Sequence, residues 1–179
     1  AKRGVAEAAG SIDRTLDMLV SSQSELRSAW TTLEARCIEW VGPLLPSLDL
    51  DNDRERIPRA VSDSTDLRDA SDRLGTNPPP HSPSEVEWKA IQDIGQRCLD
   101  IANSLTSSEE AIRTIASEYL PSLSKLVGPL GAAKLCVLAG GRERLARMPS
   151  GSIQVLGAHA AMAAHRRGAP PPKHGAVIF

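Results

Sequence analysis

The sequence predicts an all-α protein in which a long antiparallel coiled-coil helical hairpin precedes a compact helical domain. Three observations indicate this class. Apolar residues recur at alternating steps of three and four along two long stretches, as in a coiled-coil seam. Apolar residues make up 41% of the chain but include one Phe and one Tyr, so the core must be built from aliphatic side chains and alanine. Glycine and proline interrupt the last third of the chain at short intervals, which favours short helices there.

The first heptad ladder occupies residues 5–44. Its period predicts one helix, from about Ser11 to Leu45, with a length on the order of 50 Å. Gln23 alone places a polar side chain on the seam, where such a residue can set the register of the pairing. The Gly42-Pro43 pair then ends the helix. The ladder positions are Val5, Ala9, Ile12, Leu16, Leu19, Gln23, Leu26, Trp30, Leu33, Cys37, Trp40 and Leu44.

Residues 46–83 form the predicted tip of the hairpin, which we expect to be rich in loops. Aspartate and arginine dominate between positions 49 and 73, so little apolar surface is available for a core helix. One short amphipathic helix is predicted at Val61–Leu74. The prolines that follow it indicate a stiff connector without helix.

A second ladder returns after this connector. Ser84 and Glu87 have the spacing of a capping box, which predicts a helix that begins directly after Ser84. Two such helices fold back antiparallel most readily, although the same seam can be buried within one chain or between two. The ladder positions are Ile91, Ile94, Cys98, Ile101, Leu105, Ser108, Ile112, Ile115 and Tyr119.

Pro121 marks the predicted boundary between a hairpin domain, residues 1–120, and a second domain, residues 121–179. The second domain ends with a predicted helix over Ile153–Arg167, which Gly168 stops because glycine adopts a left-handed conformation without a Cβ penalty. Shorter helical pieces precede it, and they are predicted at Leu123–Val127, Ala132–Ala139 and Arg142–Arg147.

The net charge of −1 conceals a strong asymmetry along the chain. Residues 1–120 hold 13 Lys and Arg against 21 Asp and Glu, whereas residues 121–179 hold 8 against 1. An acidic rod joined to a basic head indicates that the head binds a polyanion.

A proline arm carries the most specific candidate contacts to RNA. Pro170–Pro172 lock an extended backbone and present Lys173 and His174 at its end. A cation and a flat ring displayed together suit a phosphate and an unstacked base. The alternative is a proline-rich loop that only turns a corner.

Further candidates for RNA contacts lie in the basic segments before this arm. Arg166 and Arg167 end a helix, where they equally complement the negative end of its dipole. The glycines at 140 and 141 precede a helix whose free backbone N–H groups could meet a phosphate. Gln154 can hydrogen-bond either backbone or a base. The remaining candidates for phosphate contacts are Arg142, Arg144 and Arg147.

The sequence offers little support for an enzyme, a metal site or a cofactor. Its four histidines form no HExxH motif, and GPLGAAK lacks the spacing of a phosphate-binding P-loop. Cys37, Cys98 and Cys136 lie far apart on apolar faces, which favours free buried thiols over a zinc site or disulfides. We expect no apolar run of about 20 residues and no signal peptide, and hence no association with a membrane.

Three segments resemble the Nop domain family, which includes the scaffold proteins of box C/D ribonucleoproteins and a spliceosomal pre-mRNA processing factor. The segment LVGPLGAAKLCVLAGGRERLARMPSGSIQVLGA, residues 126–158, is similar to that family's pattern almost position by position. The segment PPKHG, followed by IF, is similar to a second motif of that family. The segment CIEWVGPLLPSLDLD resembles one at the far end of the family's coiled coil. Taken together, these segments most resemble those of an archaeal-type Nop protein.

The resemblance implies a non-catalytic scaffold that recognises a kink-turn RNA together with its small ribosomal-protein-like binder. It also implies a coiled coil that joins two copies. The expected location is the cytoplasm of an archaeon, or the nucleus and nucleolus of a eukaryote. The family holds fibrillarin through a separate N-terminal domain, which is not among the segments that this chain resembles. We therefore do not expect fibrillarin recruitment.

Two departures from the family pattern qualify these expectations. The family commonly reads GAEKALFRHL where this chain has GAHAAMAAHR, so a glutamate, a lysine, an aromatic residue and an arginine are missing. The basic residues that usually follow the PPKHG motif are also not present by Phe179, which predicts an incomplete C-terminal end to the domain. The alternative function is therefore a coiled-coil assembly module that has lost RNA binding.

Overall fold

The computed structural model describes residues 10–175, within which the protein forms eight helices and no strand. This confirms the predicted all-α class. The helices are α1 Ile12–Val41, α2 Ile57–Ser62, α3 Leu67–Leu74, α4 Glu85–Tyr119, α5 Pro121–Ala139, α6 Arg142–Ala146, α7 Ser150–Gln154 and α8 His159–His165.

The two heptad ladders correspond to the two longest helices, α1 with 30 residues and α4 with 35. Helix α1 ends at Val41, a few residues before the predicted end at Leu45, because the Gly42-Pro43 pair begins a series of tight turns. The ladder positions Val5 and Ala9 lie outside the described residues. Two helices of this length are consistent with the predicted hairpin.

Of the two hydrogen bonds of the capping box predicted at the start of α4, one is present. The backbone N–H of Glu87 donates to the Ser84 hydroxyl at 3.2 Å, as an N-cap serine requires. The Glu87 carboxylate does not complete a capping box. It accepts the indole N–H of Trp40 at 3.2 Å instead, and so links the end of α1 to the start of α4.

The described residues divide into two compact units. One comprises residues 10–23 and 108–175, and the other comprises residues 24–107. Each unit has its own apolar core. The boundary that the sequence predicts, between 120 and 121, therefore falls within the first of these units.

The tip of the second unit is more ordered than predicted. The expected single helix at Val61–Leu74 is wrong, because α2 and α3 are separate helices and α3 begins at an Asp66 N-cap. Both helices bury apolar side chains in the core of this unit, including Ile57 and Leu67. In each short helix, apolar residues spaced three to four positions apart form one apolar face. That face covers the ends of α1 and α4 despite the many charged residues around it.

Close contacts hold α4 against α2 and the turn that follows it. The Trp88 indole N–H donates to the Thr65 carbonyl at 3.0 Å, and the Gln92 amide donates to the Ser64 carbonyl at 2.6 Å. A Cβ at Gly95 would lie 2.8 Å from the Pro58 carbonyl oxygen, so this approach requires a glycine. The tip is thus fixed to the hairpin helix by side chains of α4.

In the first unit, the ends of α1 and α4 pack against α5 and α6. Leu16 and Ile112 are fully buried together with Ala132 and Cys136 of α5. Alanine at such positions lets the helices approach closely. The basic segment is therefore built on a core that includes both ladder helices.

Helix α5 is divided by a kink. Gly128 has φ +76° and ψ 156°, and Pro129 follows it, so the regular helix stops and restarts there. By length and hydropathy, α5 is the one described helix that could cross a membrane, although the sequence suggested no such segment. The kink lies in the middle of it.

The predicted helix over Ile153–Arg167 is also wrong. The chain forms α7 and α8 with a turn between them, closed by the Leu156 and Ala158 amides on the Ile153 and Val155 carbonyls. Gly157 in that turn has φ +81°, a conformation that favours glycine. This local turn overrides the continuous helical pattern.

Candidate nucleic-acid interface

All eight lysines and arginines of residues 121–179 are exposed to solvent. The single acidic residue of that segment, Glu143, is also exposed and pairs with Arg147. An exposed ion pair contributes only about 0–1 kcal/mol, so Arg147 can exchange it for a phosphate at little cost. The surface charge of this segment therefore suits a polyanion. Its basic residues are Lys125, Lys134, Arg142, Arg144, Arg147, Arg166, Arg167 and Lys173.

Lys173 and His174 are both exposed at the end of the Pro170–Pro172 segment. Neither residue belongs to a helix, because the chain is irregular from Gly168 to Gly175. Their side chains are thus accessible to an RNA backbone and to an unstacked base, the contacts for which this residue pair is suited.

Gln154 lies next to this arm and bonds its backbone. The Gln154 side-chain amide donates to the Lys173 carbonyl oxygen at 3.0 Å. The Gly175 N–H donates to the Gln154 carbonyl oxygen at 2.8 Å. Of the two roles open to Gln154, the structure therefore adopts the contact with backbone.

Arg166 and Arg167 occupy the last turn before the arm. The Gly168 N–H donates to the His165 carbonyl at 2.9 Å, and the Ala169 N–H donates to the Ala164 carbonyl at 3.1 Å, which is the bonding pattern of a Schellman motif. Gly168 has φ +102°, as its predicted role as a helix stop requires. Both arginines are exposed at the C-terminal end of the helix, so either role, towards RNA or towards the dipole, remains available to them.

Arg142 is engaged by the protein itself. Its guanidinium lies 4.2 Å from the centre of the Tyr119 ring, a cation–π geometry, and donates to the Tyr119 carbonyl at 3.3 Å. Arg142 thereby ties the start of α6 to the end of α4. A phosphate contact would have to compete with both interactions.

The backbone at the start of α6 is not free for a phosphate, in contrast to the sequence-based expectation. The Asp13 carboxylate accepts the Arg142 N–H at 3.0 Å and the Cys136 thiol at 3.3 Å. A carboxylate at this position satisfies the first N–H of the helix and complements the positive end of its dipole. Arg144 of α6 and Arg147, which directly follows α6, are therefore the arginines of this region that remain suited to bind phosphate.

Burial and the Asp13 carboxylate shift the titration of two neighbouring groups. Desolvation raises the pKa of the Cys136 thiol to about 12, and its hydrogen bond to Asp13 adds to this. Desolvation likewise raises the pKa of Tyr119, with a smaller effect from the Asp13 charge. The Cys136 thiol is thus protonated at neutral pH and acts as a hydrogen-bond donor rather than a nucleophile.

Sequence reasoning missed Asp13 and Tyr119, the residues that fix the start of α6. Asp13 is 129 positions from Arg142, and it looked like one of many acidic residues of the rod. No pattern in a single sequence pairs residues so far apart. By contrast, the contact between Gln154 and Lys173 joins two segments that the family motifs had already singled out.

Among residues 10–175, no three His, Cys, Asp or Glu side chains converge in an arrangement that could hold a metal ion. His159 and His165 are both exposed on α8. Nδ1 of His165 lies within hydrogen-bond distance of the Ala169 carbonyl oxygen, at 2.7 Å, so one nitrogen of this ring already has a partner.

Comparison with known proteins gives one family match. Residues 51–179 match the family described as "Nop: snoRNA binding domain, fibrillarin", which is well over half of the chain. The matched region includes α2 to α8, and thus every candidate RNA-binding residue.

Several individual proteins are similar over shorter segments. An uncharacterized NOP5 family protein of Methanocaldococcus jannaschii is 48% identical over 67 residues, 37% of this chain and 16% of that protein. Human nucleolar protein 56 is 31% identical over 97 residues, 53% of this chain and 16% of that protein. The U4/U6 small nuclear ribonucleoprotein Prp31 homolog of Arabidopsis thaliana is 36% identical over 75 residues, 42% of this chain and 15% of that protein. The matched segments thus span less than a fifth of each of these three relatives.

Proposed function

The chain belongs to the Nop family, and on that premise we propose that it is a non-catalytic RNA-binding scaffold of a ribonucleoprotein. It recognises a kink-turn RNA together with that RNA's small ribosomal-protein-like binder. The names of the similar proteins, which include nucleolar and small nuclear ribonucleoprotein components, support the ribonucleoprotein role. The same names support a nuclear or nucleolar location if the source is a eukaryote, and the archaeal relative supports a cytoplasmic one otherwise.

The observation that carries this proposal is the exposure of the basic side chains around the PPKHG arm. Lys173 and His174 stand free on an arm with three prolines, and Arg166 and Arg167 precede it. An arm whose backbone is already fixed loses little conformational freedom when it binds. A phosphate and a splayed base, as found at an RNA bend, match this pair of side chains.

An electrophoretic mobility shift with a kink-turn RNA tests the function. The RNA is offered to the full chain alone, to its small binding protein alone and to both proteins. We expect a shift that is strongest when both proteins are present and that weakens steeply as salt rises, because phosphate contacts release counterions. The proposal is contradicted if, at low salt, the chain alone gives no shift and its addition causes no further shift of the RNA already bound by the small protein.

Substitutions in the arm locate the interface. Lys173→Ala should reduce the slope of affinity against salt by about one phosphate contact. His174→Ala should leave the slope unchanged but cost about 1–3 kcal/mol if its ring stacks on a base. Lys89→Ala provides a matched control, because Lys89 is an exposed lysine of α4 in the other compact unit. If all three variants bind alike, the arm is only a corner of the fold.

A second candidate function is an assembly module that no longer binds RNA. The observation that favours it is α8, with the sequence HAAMAAH, which lacks the glutamate, lysine, aromatic and arginine side chains that the family commonly carries there. This function predicts a dimer through the hairpin that is indifferent to RNA. Light scattering at micromolar concentration would show a dimer with or without RNA, whereas a strict monomer would contradict the dimer and leave a hairpin within one chain.

A further inference from the structure

Gln154 holds the proline arm at two adjacent points. Its side-chain amide donates to the Lys173 carbonyl at 3.0 Å, and its own carbonyl accepts the Gly175 N–H at 2.8 Å. These two bonds enclose His174, whose side chain is exposed between them. One residue of α7 therefore fixes the backbone on both sides of the tip.

Gly175 is needed for this contact for reasons of space. A Cβ at position 175 would lie 2.8 Å from the Leu156 nitrogen and would overlap the Leu156 carbonyl oxygen. Those atoms belong to the backbone, which cannot rotate away as the end of a side chain can. A side chain at 175 would thus push the arm off Gln154.

The other end of the arm has a contact of its own. The Ala169 carbonyl lies 2.7 Å from Nδ1 of His165, at the end of α8. Between this contact and Gln154 stand Pro170–Pro172, which have fixed φ and no N–H to donate. The three prolines are therefore a stiff segment held at both ends.

The two Gln154 bonds contribute little to global stability, because they lie at the surface. The net contribution of an ordinary hydrogen bond to stability is modest, and exposure to water lowers it further. Ordering the backbone of a residue costs conformational entropy, and binding must meet that cost if folding has not. The bonds therefore matter most to a ligand that contacts the tip.

We propose that Gln154 is a positioning residue for RNA binding, which acts by holding Lys173 and His174 in their binding conformation and not by touching RNA. This inference rests on the proposed RNA-binding function. Its chemistry is that of pre-organisation, in which affinity rises because less freedom is lost on binding.

A double-mutant cycle on the full chain tests the inference. Gln154→Ala is measured alone and in the Lys173→Ala/His174→Ala background, with the kink-turn RNA and its small binding protein. Lys173→Ala keeps the backbone carbonyl that accepts the Gln154 amide. The double-variant background therefore removes the proposed RNA contacts but keeps the hydrogen bond from Gln154 to the arm. In the otherwise wild-type chain, we expect Gln154→Ala to weaken binding roughly three- to tenfold with an unchanged salt slope, because only the ordering cost increases. In the double-variant background, the same change should alter binding by less than about twofold.

Gly175→Ala provides a second variant, with Gly151→Ala as its control. Gly151 lies in α7, and no atom lies within 4 Å of the position that an alanine methyl would occupy there, so RNA affinity should be unchanged. Gly175→Ala should weaken binding at least as much as Gln154→Ala. Gln154→Ala removes the side-chain bond to Lys173 but keeps the carbonyl that accepts the Gly175 N–H. Amide hydrogen exchange at Gly175, measured without RNA, should still accelerate in this variant because the arm loses one of its two contacts, and circular dichroism checks that both variants fold.

The outcomes separate the two levels of the proposal. If the wild-type chain binds no RNA under any condition, the proposed function fails and the inference fails with it. If the wild-type chain binds but Gln154→Ala has no effect, the positioning role is wrong while the function stands. An equal loss in both backgrounds also overturns it, since Gln154 would then contribute independently of Lys173 and His174.

Discussion

The carboxylate of Asp13 lies 3.0 Å from the backbone nitrogen of Arg142 and accepts its N–H. A residue of the first turn of α1 therefore caps α6, although the two are 129 positions apart. The same oxygen accepts a hydrogen bond from the Cys136 thiol, and the Arg142 guanidinium lies over the Tyr119 ring in a cation–π contact. This small network joins α1, α4, α5 and α6 within one compact unit.

Removal of the Asp13 cap should destabilise that unit. We expect Asp13→Ala to lower the free energy of unfolding by about 0.5–2 kcal/mol, the usual cost of losing a helix cap. Asp13→Asn keeps an oxygen that can accept the Arg142 N–H, so it should lose less. Urea unfolding monitored by circular dichroism measures both. A loss for asparagine as large as that for alanine would argue against the cap.

Gly141 should tolerate no side chain. Its φ of +117° and ψ of 162° lie in a region essentially reserved for glycine, and a Cβ there would be 2.8 Å from Asp13 Oδ2. Backbone strain of this kind costs about 1–3 kcal/mol, and the close contact adds to it in Gly141→Ala. Gly75→Ala is the matched control, because Gly75 has φ +71° but open space around it.

The contribution of the contact can be isolated by repeating Gly141→Ala in an Asp13→Ala chain. There the close contact is gone and only the strain remains, so the substitution should cost less than in the wild type. Equal costs in the two backgrounds, measured by the same urea unfolding, would mean that Asp13 does not crowd position 141.

Arg54 should be needed to neutralise a buried acid. Its guanidinium contacts Glu34 Oε2 at 2.8 Å, and the Glu34 side chain is only 3% exposed whereas that of Arg54 is 42% exposed. Arg54→Ala leaves a buried carboxylate without this donor, for which we expect a loss of about 1–3 kcal/mol. Thermal unfolding measures it.

Arg36→Ala is the control for that experiment. Arg36 pairs with Glu39 at 2.7 Å, but both side chains are about two-thirds exposed, 65% and 64%. A pair of that kind should contribute about 0.5 kcal/mol or less. If both arginines prove equally dispensable, burial does not decide the value of these pairs.

The buried thiols should make the protein sensitive to alkali. Burial raises the pKa of Cys37 from 9.0 to about 12, and neighbouring Cys98 and Glu34 add to this. Below pH 9 the thiol is protonated in both states, so its contribution to stability is fully present. Between pH 9 and about 12 the unfolded thiol ionises while the folded one does not, and the contribution is lost.

The loss approaches about 1.4 kcal/mol per pH unit for one such thiol. Urea unfolding from pH 7 to 11 should therefore show stability falling above pH 9, and less steeply in Cys37→Ala than in the wild type. The comparison uses the slope, because alanine also changes packing. Identical slopes in the two proteins would show that Cys37 does not account for the alkaline loss.

The long helices and the exposure of the arm could be predicted, because both depend on local patterns in the sequence. A repeat of three and four produces an apolar seam whatever the partner, so α1 and α4 follow directly from their ladders. Ser84 caps its helix and Gly168 stops its helix because the neighbouring backbone alone determines those roles. Lys173 and His174 are displayed because three prolines in succession admit only an extended chain.

The parts that were mispredicted depend on which surfaces meet. Residues 57–74 looked too polar for a core, yet α2 and α3 each bury one narrow face against the hairpin helices. The break at Gly157 was hidden inside a helical pattern, because glycine can occupy a helix and a turn alike.

By itself, the sequence determined the all-α class, the contrast between the acidic residues 1–120 and the basic residues 121–179, and the motifs that place the chain in its family. Only the tertiary structure decided which polar groups are left for a ligand. Asp13 accepts the α6 N–H that a phosphate could have used, and Gln154 bonds the backbone of the arm, which is one of the two roles that the sequence left open to it. A side chain's donors and acceptors are the same in either role, so the choice depends on which partner the folded chain brings within about 3 Å.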